Sequence, residues 1–345
     1  MRAVMYKGKE AMVVEDVPKP TIQDALDAIV RVTTTAICGS DLHLWHGRVP
    51  LPPGFSFTVG HEFVGVVEEV GDKVIDFKPG DRIVVAFNTS CGRCFYCKRR
   101  MPSQCERGQI FGFGQLNGTQ AEHVRVPLVD TSCERIPDDL TDEQAIFVGD
   151  IFSTGFFGAE NGEIKPGDSV AVVGCGPVGI FAQMSARLFG AAQVIALDMV
   201  PERLELAEQA GSIPVDVSKT NAQAEVRRRT AGRGADVVIE AVGNFKALES
   251  AFSYVRKGGV ISVVGVYVEP EFPLPIGRFW GQNLTLKAGV CNTKNYMAQL
   301  IPLIQQRKVD LTKIVSHTLP LEQAPQGYRH FAEHTNRTTK VLLKP

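Results

Sequence analysis

Neither sign of charge prevails in this chain. Its 345 residues carry 37 Lys and Arg against 38 Asp and Glu, a formal net charge of −1. That balance excludes a large basic stripe for nucleic acid and gives no reason to expect an acidic, disordered tail. Long apolar runs are scarce. The uncharged stretch 169–186 is long enough to be weighed as a membrane span, but Gly174-Cys175-Gly176-Pro177 at its middle would break such a helix. It reads better as a strand, a turn and a helix start. The opening MRAVMYKGKE lacks an apolar segment behind its Arg, so no secretory signal is read there and a cytoplasmic location with reduced thiols is expected. Cysteine is sparse too. Eight in a chain of this length are too few for a disulfide scaffold, yet four of them fall within 91–105.

The length points to about two domains. Short β-type runs at 28–33, 64–70 and 82–87, broken by turns such as Pro79-Gly80-Asp81, describe an irregular, β-rich domain. The rhythm changes at Lys165-Pro166-Gly167-Asp168. Strand-like runs at 170–173, 194–197, 237–241, 260–264 and 284–288 then alternate with helical stretches such as 180–189 and 201–210. These strands show little polar alternation, so both faces are expected to be covered, as in a parallel sheet. The class is therefore α/β, with a doubly wound domain. A helix at 297–307 and a strand at 340–343 follow. The expected division is a first domain over 1–150 with a metal lobe at 91–105, a dinucleotide-binding domain over 151–294, and a return to the first domain over 295–345.

Cys91-x2-Cys94-x2-Cys97-x7-Cys105 is the sharpest local signal. Four thiolates at this spacing can close a tetrahedral shell around zinc, leaving no open position for chemistry. An iron–sulfur cluster and four unligated thiols are the alternatives. Lys98, Arg99 and Arg100 would offset the charge of a tetrathiolate site. A second set consists of Cys38, His61 and Asp150. Thiolate, imidazole and carboxylate are ligand types for a zinc that keeps one exchangeable position. Each alone has a plainer reading as a packed thiol, a satisfied polar pair or a cap; together they favour a metal.

The run Val170-Ala171-Val172-Val173 leads straight into Gly174-Cys175-Gly176-Pro177-Val178-Gly179. The glycines suit a tight turn, a backbone approach to pyrophosphate and close helix packing, and a helix N-terminus there would face the phosphates. Asp198 closes the next strand, where a carboxylate would bond the adenosine ribose and repel a 2′-phosphate, favouring NAD over NADP. Asp198 could also simply cap the next helix.

In order along the chain, Cys38-x-Ser40-Asp41-x-His43, Gly60-His61-Glu62, the four-cysteine lobe, Gly174-x-Gly176-x-x-Gly179 and Gly234-Ala235-Asp236-Val237-Val238-Ile239-Glu240 form a specific set. With it the chain resembles, essentially end to end, the zinc-dependent alcohol dehydrogenases of the medium-chain dehydrogenase/reductase superfamily. Asp150 as third ligand is similar to the bacterial secondary alcohol and glutathione-independent formaldehyde dehydrogenases, although Phe156-Phe157 departs from the aromatic–His pair of the latter. The resemblance implies a GroES-like catalytic domain, a Rossmann domain and two zinc ions per chain. It implies Cys38, His61 and Asp150 as catalytic-zinc ligands, Cys91, Cys94, Cys97 and Cys105 as structural-zinc ligands, and Glu62 as a carboxylate beside the catalytic ion or exchanging onto it. Ser40 and His43 match the family's proton relay through the nicotinamide ribose to solvent; a turn residue and a surface residue are the plainer readings. Gly174, Gly176, Pro177, Val178, Gly179, Asp198, Thr154, Val264 and Val266 are implied to bind the cofactor. So is Arg203, which could also accommodate NADP.

The implied activity is reversible hydride transfer between NAD and a small alcohol, with its aldehyde or ketone. The implied assembly is a homodimer or homotetramer, with neither nucleic acid nor membrane as partner. Two other readings stay open: a polyol- or threonine-type zinc dehydrogenase, and an NAD- and zinc-binding structural or sensory protein without turnover.

Overall fold

The computed structural model describes residues 1–345 apart from 53, 115, 270, 335 and 336. The chain divides into two compact units, Met1–Ser153 with Asn292–Pro345, and Thr154–Cys291.

The first unit is built on the ten-residue strand Ala28–Ile37, whose AIVRVTTTAI is mostly β-branched and almost wholly buried. It pairs antiparallel with Glu62–Val70, with His123–Val126 and with the closing strand Val341–Lys344. The expected strand at 28–33 is thus longer than its apolar pattern indicated. The Thr residues at 33–35 read as polar, but Thr35 donates its hydroxyl to Glu62 O at 2.7 Å and so stays buried at low cost. Register matters more than length here. Ala36 faces Glu62 on one side and Leu342 on the other. The ends of three strands distant in sequence therefore converge on Cys38, His61 and Lys340. Phe63, Phe111, Ile83 and Val85 form one core of this unit; Trp45, Tyr328 and Phe331 belong to another.

The second unit is a six-stranded parallel sheet. Its order is Ile213–Asp216, Gln193–Asp198, Ser169–Val173, Ala235–Glu240, Val255–Val263, Thr285–Ala288. In chain order this is 3-2-1-4-5-6, so the strand order reverses between Ser169–Val173 and Ala235–Glu240, and ligands of such sheets bind at the carboxyl ends beside that switch point. The near-continuous burial of these strands agrees with a sheet covered on both faces. Ile213–Asp216 was not expected. It is short, contains Pro214 and lies at a sheet edge, where a missing N–H is tolerated. Among the described residues no helix is long and apolar enough to cross a membrane.

Candidate metal centres and dinucleotide site

Cys38 leaves the strand Ala28–Ile37 and its backbone N–H is held by Asp41 Oδ2 at 2.9 Å. His61 lies just before the paired strand Glu62–Val70, and Asp150 follows the turn Ile146–Gly149. One ligand atom from each of Cys38, His61, Glu62 and Asp150 lies within 4.8 Å of the other three, and all four residues are buried. His61 Nε2 is 3.2 Å from Asp150 Oδ2 and 3.2 Å from Ser40 Oγ, while Nδ1 lies 3.3 Å from Asp41 Oδ1. Asp41 is itself fully buried and also accepts from Gln120 Nε2 at 3.3 Å. Phe87 and Phe113 flank the His61 ring at 6.3 and 5.8 Å between centroids.

The electrostatics of this pocket call for a cation. Burial, with Glu62 and Asp150 nearby, pushes the Cys38 thiol up to about 11. Burial disfavours a charged His61, but Asp41 and Cys38 outweigh it and hold the imidazole well above its usual range. Carboxylates crowd a space from which water is excluded, and such charge is costly unless paired or metal-bound. The donor set fits zinc: a thiolate, an imidazole steadied on its far nitrogen by Asp41, and a carboxylate. Lys340 brings an opposing cation of the chain to this cluster. Its Nζ sits 2.6 Å from Glu62 Oε1, both side chains are fully buried, and Glu62 Oε2 has no hydrogen-bond partner among the described residues.

The sulfur atoms of Cys91, Cys94, Cys97 and Cys105 also lie within 4.8 Å of one another. Cys105 Sγ accepts from the backbone N–H groups of Cys91 at 3.2 Å and Arg107 at 3.4 Å. Donors of this kind stabilise thiolate sulfur: backbone N–H groups of Cys97 and Glu106 draw the Cys94 thiol down to about 6, whereas burial raises Cys105 despite its own donors. The remaining cysteines, Cys133, Cys175 and Cys291, are buried and form no disulfide.

In the second unit Gly174 ends the strand Ser169–Val173 with φ +92°, and the helix Pro177–Leu188 follows. A Cβ on Gly179 would fall 1.9 Å from Gly174 O, whereas one on Gly176 would meet open space. The turn is thus closed on the protein side and open above Gly176, next to a helix N-terminus with no side-chain cap. Such a cradle fits a pyrophosphate. Asp198 ends the neighbouring strand. It accepts from Cys175 N at 2.7 Å, Met199 N at 2.7 Å and Val200 N at 2.9 Å, and Arg203 lies 3.9 Å away. Asp198 therefore shapes the Gly-rich turn as well as presenting a carboxylate beside it. Val264 and Val266 follow the strand Val255–Val263, buried and exposed respectively, and Thr154 lies in the helix Ile151–Asn161.

Sequence reasoning passed over Asp41, Gln120, Phe113 and Lys340 as site residues. Asp41 had a signal, since it lies inside the Cys38–His43 motif. Lys340 had none, because only strand register brings it to Glu62. Trp45 stacks on Tyr328 in the core at 5.7 Å. His123 Nε2 lies 3.3 Å from Glu68 Oε1.

Residues 24–138 match the family described as alcohol dehydrogenase GroES-like domain, and residues 177–306 match the zinc-binding dehydrogenases. A zinc-type alcohol dehydrogenase-like protein of Bacillus subtilis is 39% identical, with 100% of each chain covered. Among solved structures, an alcohol dehydrogenase from a Thermus species is 44% identical with a TM-score of 0.94, covering 100% of this chain and 99% of that one. A zinc-binding dehydrogenase of Sinorhizobium meliloti, solved with NADP bound, is 28% identical with a TM-score of 0.88, covering 100% and 99%.

Proposed function

The chain belongs to the zinc-dependent alcohol dehydrogenases of the medium-chain dehydrogenase/reductase superfamily, and on that premise we propose that it moves hydride reversibly between NAD and small alcohols, with their aldehydes or ketones. The buried cluster of Cys38, His61, Glu62 and Asp150 carries this reading. Cys38, His61 and Asp150 would hold the catalytic zinc, and Cys91, Cys94, Cys97 and Cys105 a structural one. When bound, zinc supplies Lewis acidity toward an alcohol oxygen and the nicotinamide takes up hydride.

The chain's own residues do the rest. Cys38 and Asp150 bring two negative charges, which temper the acidity of the ion. Asp41 fixes the ring of His61 so that Nε2 faces the donor set. Ser40 Oγ, 3.2 Å from that nitrogen, is placed to take a proton at the cluster. His43, in the next helical turn, then passes the proton to solvent. Replacing His43 by Ala should lower alcohol oxidation mainly at low pH, with partial recovery on adding a small base. Equal activity at every pH would exclude the relay.

The decisive experiment is a zinc-loaded preparation assayed for NADH formation with short primary alcohols, secondary alcohols, formaldehyde and polyols. Turnover confined to polyols would favour the polyol-type reading; Asp150, rather than Glu, as third donor speaks for the small alcohols. The carboxylate of Asp198 supports NAD over NADP. An Asp198→Gly variant should gain in kcat/KM with NADP relative to NAD, and no gain would count against that role.

We also propose that two copies meet along the edge strand Thr285–Ala288. Beside it, Ile276 and Trp280 stand one helical turn apart and are 68% and 85% exposed. Sedimentation of a homodimer or homotetramer would register this, and a monomer would oppose it. A cytoplasmic location, consistent with eight cysteines that form no disulfide, is checked by cell fractionation.

A further inference from the structure

Glu240 ends the strand Ala235–Glu240, is fully buried, and plays no part in the metal chemistry. Its position is nonetheless singular. The strand lies between Ser169–Val173, with Glu240 beside Val173, and Val255–Val263, with Glu240 beside Val263. It thus stands at the switch point, one strand from the Gly-rich turn.

Its hydrogen bonds run to two loops at once. Side-chain Oε1 accepts from Val242 N and Gly243 N, both at 2.9 Å. Its backbone carbonyl accepts from Val264 N at 2.9 Å and Gly265 N at 3.1 Å. The two loops are pressed together at that point. A Cβ on Gly265 would lie 2.2 Å from Gly243 N and 2.6 Å from Glu240 Oε2, and one on Gly243 would lie 2.3 Å from Val266 O. The first loop also backs the Gly-rich turn, since a Cβ on Gly174 would meet Val242 Cγ2 at 2.6 Å.

From this geometry we infer that Glu240 is a positioning residue for the dinucleotide, a buried brace that holds the loops 241–243 and 264–266 in register with the Gly-rich turn. The inference rests on the reading of that turn, with Val264 and Val266, as the cofactor site. A carboxylate suits the task because one oxygen can serve two backbone N–H groups at once. Its second oxygen, Oε2, has no hydrogen-bond partner among the described residues. Tyr267 is close by. Its hydroxyl donates to Asn244 O at 3.2 Å, and burial together with the neighbouring Glu240 raises its pKa. Burial likewise pushes Glu240 upward, against the pull of the Gly243 and Val242 N–H groups.

The test uses zinc-loaded full-length enzyme and titrates NADH by fluorescence, with zinc content and Tm measured on the same samples. Glu240→Gln keeps an acceptor for Val242 and Gly243 and turns its NH2 toward Tyr267, so its NADH affinity should stay within about threefold of the parent. Glu240→Ala removes two hydrogen bonds to a carboxylate and should weaken NADH binding about tenfold to a hundredfold. It should raise KM for NAD far more than it lowers kcat, and should leave zinc content unchanged. Gly265→Ala wedges the same junction with Glu240 intact, should weaken NADH in the same way, and serves where Glu240→Ala folds poorly.

Parent-like NADH affinity in Glu240→Ala or Gly265→Ala would overturn the brace. So would a Glu240→Gln variant as weak as Glu240→Ala, since charge rather than bracing would then be at work. If the parent enzyme itself binds neither NADH nor NADPH, the underlying cofactor reading fails instead, which keeps the two failures distinct.

Discussion

Replacing Cys38 by Ser is expected to lower kcat/KM by about a thousandfold and to reduce bound zinc from two ions per chain to one. The hydroxyl of Ser is a far poorer anionic donor than a thiolate. The remaining partners, His61 and Asp150, would then share a buried site with Glu62 that has lost one of its charges. Losing Lewis-acid stabilisation worth roughly 4 kcal/mol corresponds to that drop in rate. The comparison with Cys94→Ser makes the expectation specific. That change should also remove one zinc, but its main effect should be a lower Tm, because metal bound by the four-cysteine lobe stabilises folding rather than the reacting atoms. Metal analysis and steady-state kinetics on both variants check the assignment. If Cys38→Ser keeps both ions and parent activity, Cys38 is no ligand. If Cys94→Ser abolishes turnover in folded protein that has kept its other zinc, the lobe is more than structural.

Replacing Lys340 by Met should cost about 3–5 kcal/mol of stability, the usual penalty for stranding one charge of a buried pair. For a chain of this size that lowers Tm by about 4–7 °C. Lys340 and Glu62 are both fully buried with 2.6 Å between Nζ and Oε1, and the Phe147 ring centroid lies 6.0 Å from the ammonium. Without the ammonium, Glu62 stays buried beside Cys38 and Asp150 and loses the ion pair that offsets its burial. The double variant Lys340→Met with Glu62→Gln should regain much of the loss, because an apolar or neutral replacement of both partners is far cheaper than removal of one. Thermal or denaturant unfolding of the four corners of this cycle on zinc-loaded protein measures the coupling. A single variant as stable as the parent, or a double variant no better than the single, would show that the pair is not coupled as its geometry implies.

These two residues differ in how legible they are in the sequence. Cys38 was legible because its motif is local. A cysteine that leaves a strand before Ser40-Asp41 and His43 advertises itself by spacing, just as the four cysteines of 91–105 do, and the Gly-rich turn is recognisable because a strand, three glycines and a helix start must be contiguous to work. Asp198 belongs to the same class, since it lies at a strand end a short distance on. The alternation of strands and helices likewise announced the parallel sheet, although Ile213–Asp216, interrupted by Pro214, lacked the apolar run that would have revealed it.

The sequence by itself therefore determined which residues could bind a metal or a dinucleotide, and the two kinds of unit that present them, because those properties reside in spacing along the backbone and in the period of apolar residues. Tertiary structure alone decided which partners complete those sites. Val341 faces Ile37 and Glu62 faces Ala36, and this register delivers Lys340 from the far end of the chain to Glu62. Glu240 becomes a brace only once Val242, Gly243, Val264 and Gly265 are gathered around it. The physical reason is the same in both cases. A buried charge is tolerated only where long-range pairing supplies its counter-charge or its N–H donors, and that pairing is set by strand register and exclusion of water, neither of which is written in local spacing.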